Sequence, residues 1–289
     1  MKPAPFIYHR PASLDQALGL LADQPNARVL AGGQSLMAML NLRLVSPDNL
    51  IDVGRIPDLA FIREEEGALV IGAMTRQRQI EKSALARDRL PLLVQGIRHV
   101  GHQQTRNWGT IGGSLCHLDP SAEIPAVAMA YDATLTVQSV RGTRLIAMKD
   151  FALGMMTPDI GADEMLTSIR FETWPQGHGA AFSEFARRHG DFAIAGAAAL
   201  TALDGSGRIA RISLTLAGVA PVAMRLTGVE RDLVGCAPDE AALGMAAEAV
   251  AGIDAMDDAF VPAWYRRRIG AVVIRRALEA AILQAEEQQ

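Results

Sequence analysis

The chain has 289 residues, of which 49% are hydrophobic and 21% charged, values typical of a folded globular protein. Its length favours two or three compact units over a single core. The net charge of -4 gives no overall attraction to nucleic acid, and no apolar run has the length of a membrane span. Only two distant cysteines occur, Cys116 and Cys236, which argues against a disulfide framework or a sulfur-bound metal cluster. We therefore predict a cytoplasmic protein.

Apolar periodicity and turn residues predict a mixed chain of helices and strands with a break after residue 173. Ser13 and Gln16 have the spacing of a capping box, and Thr75 is placed to cap a helix after the strand 69–71. Proline and clustered glycines in 174–179 interrupt the pattern and give the predicted domain boundary. Before that boundary the predicted elements are a helix over 14–22, strands over 28–30, 49–53 and 69–71, helices over 91–99 and 122–131, and strands over 134–140 and 165–171.

Beyond the boundary the pattern predicts a β-hairpin followed by helices. Residues 197–203 and 208–218 flank the turn 204–207, and apolar and polar residues alternate in the second strand. The arginines at 266–268 and 275–276 form either a solvated helix face or a contact surface. In the last helix, over 262–286, one apolar stripe holds Ile269, Val272, Val273, Ala277 and Ala280, with Arg266, Arg267, Arg275 and Arg276 largely outside it.

Two glycine pairs are the main candidates for a binding site. They lie in Ala31-Gly32-Gly33-Gln34-Ser35 and in Thr110-Ile111-Gly112-Gly113-Ser114, each after an apolar stretch. Because glycine has no Cβ, such a pair can turn at positive φ and bring backbone N–H groups close to an anion. We predict that both motifs are turns that together hold the diphosphate of a dinucleotide, with the Ser35 and Ser114 hydroxyls at the rim. Either motif alone is equally compatible with an ordinary hairpin or strand-to-helix corner.

Further polar and aromatic residues extend the candidate site. Asp119 and Glu123 can accept a hydrogen bond from a ribose hydroxyl, or can serve as a turn starter and a first-turn helix residue. Arg187 and Arg188 can stabilise negative charge on a redox-active ring such as a flavin, and Phe192 can stack on it. An arginine pair is also typical of a solvated surface, and phenylalanine of a core. No nucleophile elbow, paired-histidine zinc motif or lysine-bearing phosphate loop is present, so hydrolase and kinase activities lack support.

Three motifs agree in order and spacing with one family: AGGQSL at 31–36, TIGGSL at 110–115 with Asp119-Pro120 and Glu123 beyond it, and RHGDFA at 188–193. Together they resemble the medium, FAD-binding subunit of molybdenum hydroxylases such as carbon monoxide dehydrogenase, quinoline oxidoreductase and nicotine dehydrogenase. The resemblance covers nearly the whole chain. It implies an α+β fold with an FAD-binding domain of the p-cresol methylhydroxylase type over 1–175, in two α/β subdomains of about 1–56 and 57–175. A C-terminal α+β domain with an antiparallel sheet and helices follows over 176–289.

The same resemblance implies a set of FAD contacts and neither a catalytic residue nor a metal ligand. Glu123 matches an acidic position that contacts the adenosine side, and Leu166 matches a backbone contact near the flavin. Phe192 matches a tyrosine that shields the isoalloxazine in the carbon monoxide enzyme. Glu184 stands where some relatives have lysine, so no cofactor contact is predicted there. The predicted FAD-binding residues are Ala31, Gly32, Gly33, Gln34, Ser35, Leu36, Thr110, Ile111, Gly112, Gly113, Ser114, Asp119, Glu123, Leu166 and Phe192.

The resemblance implies electron transfer as the function of this chain. A large molybdopterin-binding subunit is expected to hydroxylate the substrate, and a small subunit with two-iron two-sulfur clusters to relay electrons to FAD, which passes them to an external acceptor. The expected assembly is a dimer of heterotrimers. Two alternatives stay open. One is a stand-alone flavin oxidase of the same fold, which needs acid–base groups over the flavin. The other is a non-enzymatic nucleotide-binding or assembly module, which needs no redox ring.

Overall fold

The computed structural model describes residues 2–288, and its first unit is a small parallel sheet with two helices. The elements are β1 (Ile7–His9), α1 (Leu14–Asp23), β2 (Ala27–Leu30), α2 (Leu36–Asn41) and β3 (Asn49–Asp52). The strands pair in parallel in the order β1-β3-β2, and Leu18 and Leu21 of α1 share a buried cluster with Ile51. The Ser13 hydroxyl accepts a hydrogen bond from the Gln16 N–H at 3.3 Å, which confirms the predicted cap of α1.

A larger helical and antiparallel unit follows a short 3₁₀ turn at Pro57–Leu59. Its elements are β4 (Ile62–Glu65), β5 (Ala68–Gly72), α3 (Gln77–Lys82), α4 (Ala84–Arg89), α5 (Pro91–His99), α6 (Gln103–Trp108), α7 (Ile111–His117), α8 (Glu123–Ala130), β6 (Thr134–Ser139), β7 (Gly142–Ala147), α9 (Met148–Phe151), β8 (Ala152–Gly154), β9 (Thr157–Pro158) and β10 (Met165–Glu172). Five strands pair in the order β4-β5-β10-β6-β7, all antiparallel. Leu92 of α5, Val127 of α8 and Ile169 of β10 pack in its core.

The last unit is an antiparallel sheet covered by helices. Its elements are β11 (Gly179–Phe185), β12 (Ala195–Leu203), β13 (Ile209–Ala217), β14 (Met224–Arg225), α10 (Thr227–Leu233), α11 (Glu240–Glu248) and α12 (Ala263–Glu287). The strand order is β11-β12-β13-β14, and the pairing of β12 with β13 confirms the predicted hairpin. No helix within residues 2–288 combines the length and apolar character needed to cross a bilayer.

Strand β12 lies between two cores because successive side chains of a strand point to opposite faces. Ala198 and Leu200 pack into the cluster that contains α5 and α8, whereas Ala197 and Ala199 pack into the cluster that contains α12. Small side chains are needed here because the covering helix lies close to the sheet. On the neighbouring strand, a Cβ at Gly179 would overlap the carbonyl oxygen of Ala281 in α12. The predicted α+β class is confirmed.

Three predictions about single residues are wrong. The N-cap of α3 is Arg76 and not Thr75, because the Thr75 hydroxyl instead bonds the backbone N–H and C=O of Phe61 at 3.0 and 2.9 Å. Arg266 lies on the buried stripe of α12 with 6% exposure, and its Nη1 and Nη2 donate to two backbone carbonyls and a carboxylate. Val272, predicted on the apolar stripe, is 38% exposed.

Candidate functional site

The first glycine motif forms a turn with unpaired backbone N–H groups between β2 and α2. Gly33 has φ +72°, a conformation that costs glycine little and strains residues with a side chain. The Gln34 side chain donates to the Gly32 carbonyl at 3.2 Å. The backbone N–H groups of residues 32–36 donate to no acceptor within residues 2–288. Successive free N–H groups in a turn form a typical anion-binding nest, so this motif has the structure that the sequence predicts.

The second glycine motif is the start of helix α7, and the predicted turn at positive φ is wrong. Thr110 is the N-cap, and its hydroxyl oxygen accepts the Gly113 N–H at 3.0 Å. The Ile111 N–H donates to the carbonyl of Thr75 at 3.1 Å, and the Gly112 N–H to that of Ala73 at 2.9 Å. These N–H groups are therefore already paired within the chain. Gly112 is needed for packing, because a Cβ there would lie 2.6 Å from the Ala73 Cβ.

The fold brings the two motifs into direct contact. A Cβ at Gly32 would overlap the carbonyl oxygen of Trp108 and lie 2.9 Å from the Cα of Gly109, the residue before the second motif. A Cβ at Gly113 would lie 3.7 Å from the Cβ of Ala31. The first motif thus supplies free N–H groups, and the backbone of Trp108 and Gly109, directly before the second motif, supplies the surface on which that turn packs. The side chains of Ser35 and Ser114 form no hydrogen bond within residues 2–288, so both hydroxyls are available to a ligand.

Arg76 and Trp108 border this contact and were not predicted as site residues. The Arg76 guanidinium lies 5.7 Å from the centre of the Trp108 ring and donates to the Trp108 carbonyl. Burial lowers the pKa of Arg76. The Trp108 side chain is 61% exposed although its backbone packs on Gly32. The sequence signal that could have identified Trp108 as a site residue is its position directly before Gly109 and Thr110.

The acidic residues after the second motif have different environments. The carboxylate of Asp119 accepts the Ser121 N–H at 2.9 Å, as in an ordinary turn. Glu123 begins α8 and is only 5% exposed. Burial, with the nearby carboxylates of Glu184 and Asp119, raises the pKa of Glu123 to about 8. Glu123 is therefore largely protonated at neutral pH, a form that donates as well as accepts a hydrogen bond.

Glu184 belongs to the same buried group as Glu123. Its Oε1 lies 3.9 Å from Nδ1 of His99, and its Oε2 is buried with no partner within residues 2–288. Burial raises the pKa of Glu184 to about 7 and lowers that of His99, which the neighbouring His189 also lowers. Both shifts favour the neutral forms. This group joins α5, α8 and β11, a set of elements that sequence spacing did not connect.

Leu166 and Phe192 lie on different elements from the glycine motifs. Leu166 is buried in β10, which packs against α7. Phe192 is 61% exposed in the loop 186–193 between β11 and β12, so its ring face is open to a ligand. The loop contacts the N-terminal half through Gly190, because a Cβ there would lie 2.5 Å from Cε1 of His102. His102 is the N-cap of α6, the helix that ends at the Trp108 that contacts Gly32.

Two known families match consecutive parts of the chain and together cover nearly all of it. The family described as the FAD binding domain in molybdopterin dehydrogenase matches residues 4–174, and the CO dehydrogenase flavoprotein C-terminal domain matches residues 180–281. The sequence is similar to the 6-hydroxypseudooxynicotine dehydrogenase complex subunit alpha of Paenarthrobacter nicotinovorans. The two are 38% identical over 287 residues, which cover 99% of this chain and 97% of that subunit.

Solved structures agree with the sequence comparison. One is carbon monoxide dehydrogenase from Hydrogenophaga pseudoflava that lacks the Mo-pyranopterin moiety of its cofactor, with a TM-score of 0.95, 36% identity, and coverage of 98% of this chain and 99% of that chain. Another is quinoline 2-oxidoreductase from Pseudomonas putida 86, with a TM-score of 0.94, 34% identity and 99% coverage of both chains. The predicted fold and family resemblance are confirmed. The chain belongs to the FAD-binding medium subunits of the molybdenum hydroxylases, which are oxidoreductases.

Proposed function

We propose that this chain is the FAD-binding electron-transfer subunit of a heterotrimeric molybdenum hydroxylase. The single observation that carries the proposal is the nest of free N–H groups at residues 32–36, packed against the backbone before Thr110. A diphosphate satisfies such donors without displacing any bond within the chain. The proposal includes a division into an FAD-binding domain over 1–175, with subdomains of about 1–56 and 57–175, and a C-terminal domain over 176–289.

The residues of the chain fit an FAD molecule as follows. The N–H groups of residues 32–36 hold the diphosphate, and the hydroxyls of Ser35 and Ser114 add donors beside it. The backbone of Trp108 and Gly109 supports this nest through packing, and the N–H groups of residues 111–113 are already paired within the chain. Phe192 offers an exposed aromatic face for ring stacking. When bound, FAD supplies a ring that accepts and releases electrons, so this chain needs no acid–base residue of its own for the substrate.

The partners in the proposal follow from the relatives. The first relative is named as one subunit of a dehydrogenase complex, and a matching structure belongs to an enzyme with a molybdenum cofactor. We propose that a large subunit with molybdopterin hydroxylates the substrate and that a small subunit with two-iron two-sulfur clusters delivers electrons to this chain. An external acceptor then receives them. The proposed assembly is a dimer of such heterotrimers.

The first experiment measures FAD content per mole of chain after gel filtration, by visible absorbance. We expect the wild-type chain to be yellow and the Gly33→Val variant to lose most of its FAD, because valine at φ +72° distorts the nest. Gly67→Val is the matched control, because Gly67 has φ +78° with no atom near its missing Cβ. Equal FAD content in the two variants would contradict the proposed cradle.

A second experiment separates the proposal from its two alternatives. The purified yellow chain is mixed anaerobically with N-heteroaromatic compounds or carbon monoxide, without partner subunits. We expect dithionite, but none of these compounds, to bleach the flavin, because substrate oxidation takes place in another subunit. Bleaching by a substrate alone would identify a stand-alone flavin oxidase. A colourless chain that binds adenine nucleotides but no FAD would identify a nucleotide-binding module.

A further inference from the structure

A buried arginine joins three segments next to the exposed Phe192. Arg266 is 6% exposed, and its Nη1 donates to the carbonyls of Ile194 at 3.0 Å and Gly218 at 2.6 Å. Its Nη2 pairs with the carboxylate of Asp258, which also accepts N–H groups of the following loop. Hydrogen bonds from a charged donor are stronger than neutral ones, so this arginine fixes the backbone that it contacts.

Ile194 is the base of the loop that carries Phe192. Its N–H donates to the carbonyl of Phe185 at 2.8 Å, while its own carbonyl accepts from Arg266. Residues 186–193 lie between Phe185 and Ile194 and form a loop that we call the Phe192 loop. Arg187 and Arg188 on the same loop are exposed. Beyond its base the loop also contacts His102 through His189 and Gly190, and Phe260 through Arg187. Loss of Arg266 removes one of the two bonds that hold the base.

The same junction reaches the segment after the second glycine motif. Gly218 has φ +73°, and a Cβ there would lie 2.9 Å from the Ile194 carbonyl oxygen. The Gly218 N–H donates to the carbonyl of Pro120 at 2.7 Å, between Asp119 and Glu123. Arg266 therefore holds the Phe192 loop against a backbone that is itself bonded to the 119–123 segment.

Stability alone is a weak reason to place an arginine here. Burying a guanidinium costs several kcal/mol in desolvation, and apolar residues often replace buried ion pairs without loss of stability. Its Nε is also buried without a partner within residues 2–288, which adds to that cost. A role in fixing one arrangement of the loop explains why the charged group is there.

We propose that Arg266 is a positioning residue that fixes the Phe192 loop relative to the 119–123 segment, so that both meet the bound cofactor in one arrangement. The proposal rests on the proposed function, because it takes the cofactor to be FAD. Arg266 does not touch the cofactor itself. Its effect passes through Ile194 to the loop and through Gly218 to Pro120.

The test compares Arg266→Met with the matched control Arg225→Met. Arg225 is also largely buried and also bonds a backbone carbonyl and two carboxylates, those of Met129, Asp132 and Glu230, but it has no contact with the Phe192 loop. Both variants are studied at a temperature at which circular dichroism shows them folded. The first measurement is the rate of tryptic cleavage after Arg187 and Arg188, which follows the opening of the loop.

We expect Arg266→Met to speed cleavage in the loop several-fold and to raise the Kd for FAD about tenfold, which corresponds to about 1.4 kcal/mol. Arg225→Met should change neither relative to the wild type. Arg266→Lys keeps the charge but lacks the planar fork of arginine. We therefore expect its cleavage rate and its Kd for FAD to lie between those of the wild type and those of Arg266→Met. If Arg266→Met does not fold, Asp258→Asn takes its place, because it removes the ionic partner of Arg266. We expect Asp258→Asn to show the same two changes more weakly.

The outcomes separate this inference from the proposed function. If the wild-type chain binds no FAD, the proposed function fails, whereas the cleavage assay still reports on the Arg266 junction. If FAD binds to the wild type and Arg266→Met shows unchanged cleavage or unchanged affinity, the positioning role is wrong. Equal changes in Arg266→Met and Arg225→Met would also overturn it, because they would reflect general destabilisation.

Discussion

The carbonyl oxygen of Trp108 occupies the space in which a side chain on Gly32 would begin. This contact joins the first glycine turn to the residues before the second motif, although the two are far apart in the sequence. Glycine at position 32 is therefore required by tertiary packing, whereas glycine at position 33 is required by its positive φ. The two neighbouring positions therefore require glycine for different physical reasons.

Gly32→Ala is expected to destabilise the chain and to reduce its FAD content. The added Cβ must displace the backbone of Trp108 or Gly109, and overpacking of this kind typically costs about 1–3 kcal/mol. In a chain of this size, each kcal/mol of lost stability lowers the melting temperature by about 2–4 °C. Gly19→Ala is the control, because nothing lies within 4 Å of that position in α1 and alanine favours a helix. A melting temperature for Gly32→Ala at or above the wild-type value would refute the packing argument.

Much of the secondary structure could be predicted because its signals are local. The helix predicted over 91–99 coincides with α5, and the hairpin of β12 and β13 follows from alternating residues around a glycine-rich turn. Strand β1 carries no such signal. Ile7 and Tyr8 are both exposed, and β1 forms only because it pairs with β3. Non-local pairing of this kind cannot be inferred from a window of sequence.

Only part of the candidate site could be predicted, because only part of it has a local sequence signal. The turn at Gly33 could be inferred from the glycine pair alone. The helix at Thr110 was missed, although threonine is a common N-cap and was itself a sufficient signal. Glu184 and Arg266 owe their environments to residues distant in sequence. Glu184 lies beside α5 and α8, and Arg266 bonds the residues that precede β12 and follow β13. Only the folded chain shows those neighbours.

The buried carboxyls of Glu123 and Glu184 are expected to make stability fall as the pH rises from about 4.5 to about 8. Their pKa values are raised to about 8 and about 7, above their ordinary value, so the native state binds more protons than the unfolded state. The stabilisation by protonation is complete below the ordinary carboxyl pKa of 4.5, falls as the pH rises from there to the native pKa, and is gone above the native pKa. Each group contributes up to about 1.4 kcal/mol per pH unit within its window. Thermal melts at several pH values measure the slope.

Glu123→Gln should flatten this pH dependence and make the chain more stable than the wild type at pH about 8.5, because the amide stays neutral. Glu240→Gln is the control. Glu240 is exposed and paired with Arg275, which lowers its pKa, so the variant should keep the wild-type slope. An unchanged slope in Glu123→Gln would show that its carboxyl is already ionised in the native state.

Phe192→Ala is expected to weaken FAD binding with little change in the stability of the FAD-free chain. The ring is 61% exposed, so its removal exposes little core, but it removes the aromatic face proposed to stack on the flavin. We expect a rise in Kd of about twofold to thirteenfold, from a stacking energy of about 0.5–1.5 kcal/mol. Phe192→Tyr should bind normally, and Leu145→Ala is an exposed apolar control on β7. Normal FAD affinity in Phe192→Ala would exclude this ring from the site.

Cys116 is expected to resist alkylation in the folded chain, whereas Cys236 reacts. Burial raises the pKa of Cys116 to about 12, and only the thiolate attacks iodoacetamide, so at pH about 8 the reactive fraction of Cys116 is very small. Its position between the second glycine motif and His117 therefore reflects packing and not redox chemistry. Peptide mass spectrometry after timed labelling measures the two rates, and labelling in urea shows that both thiols are present. Equal native rates would mean that α7 opens readily, and would contradict the rigid packing of the second motif on Ala73.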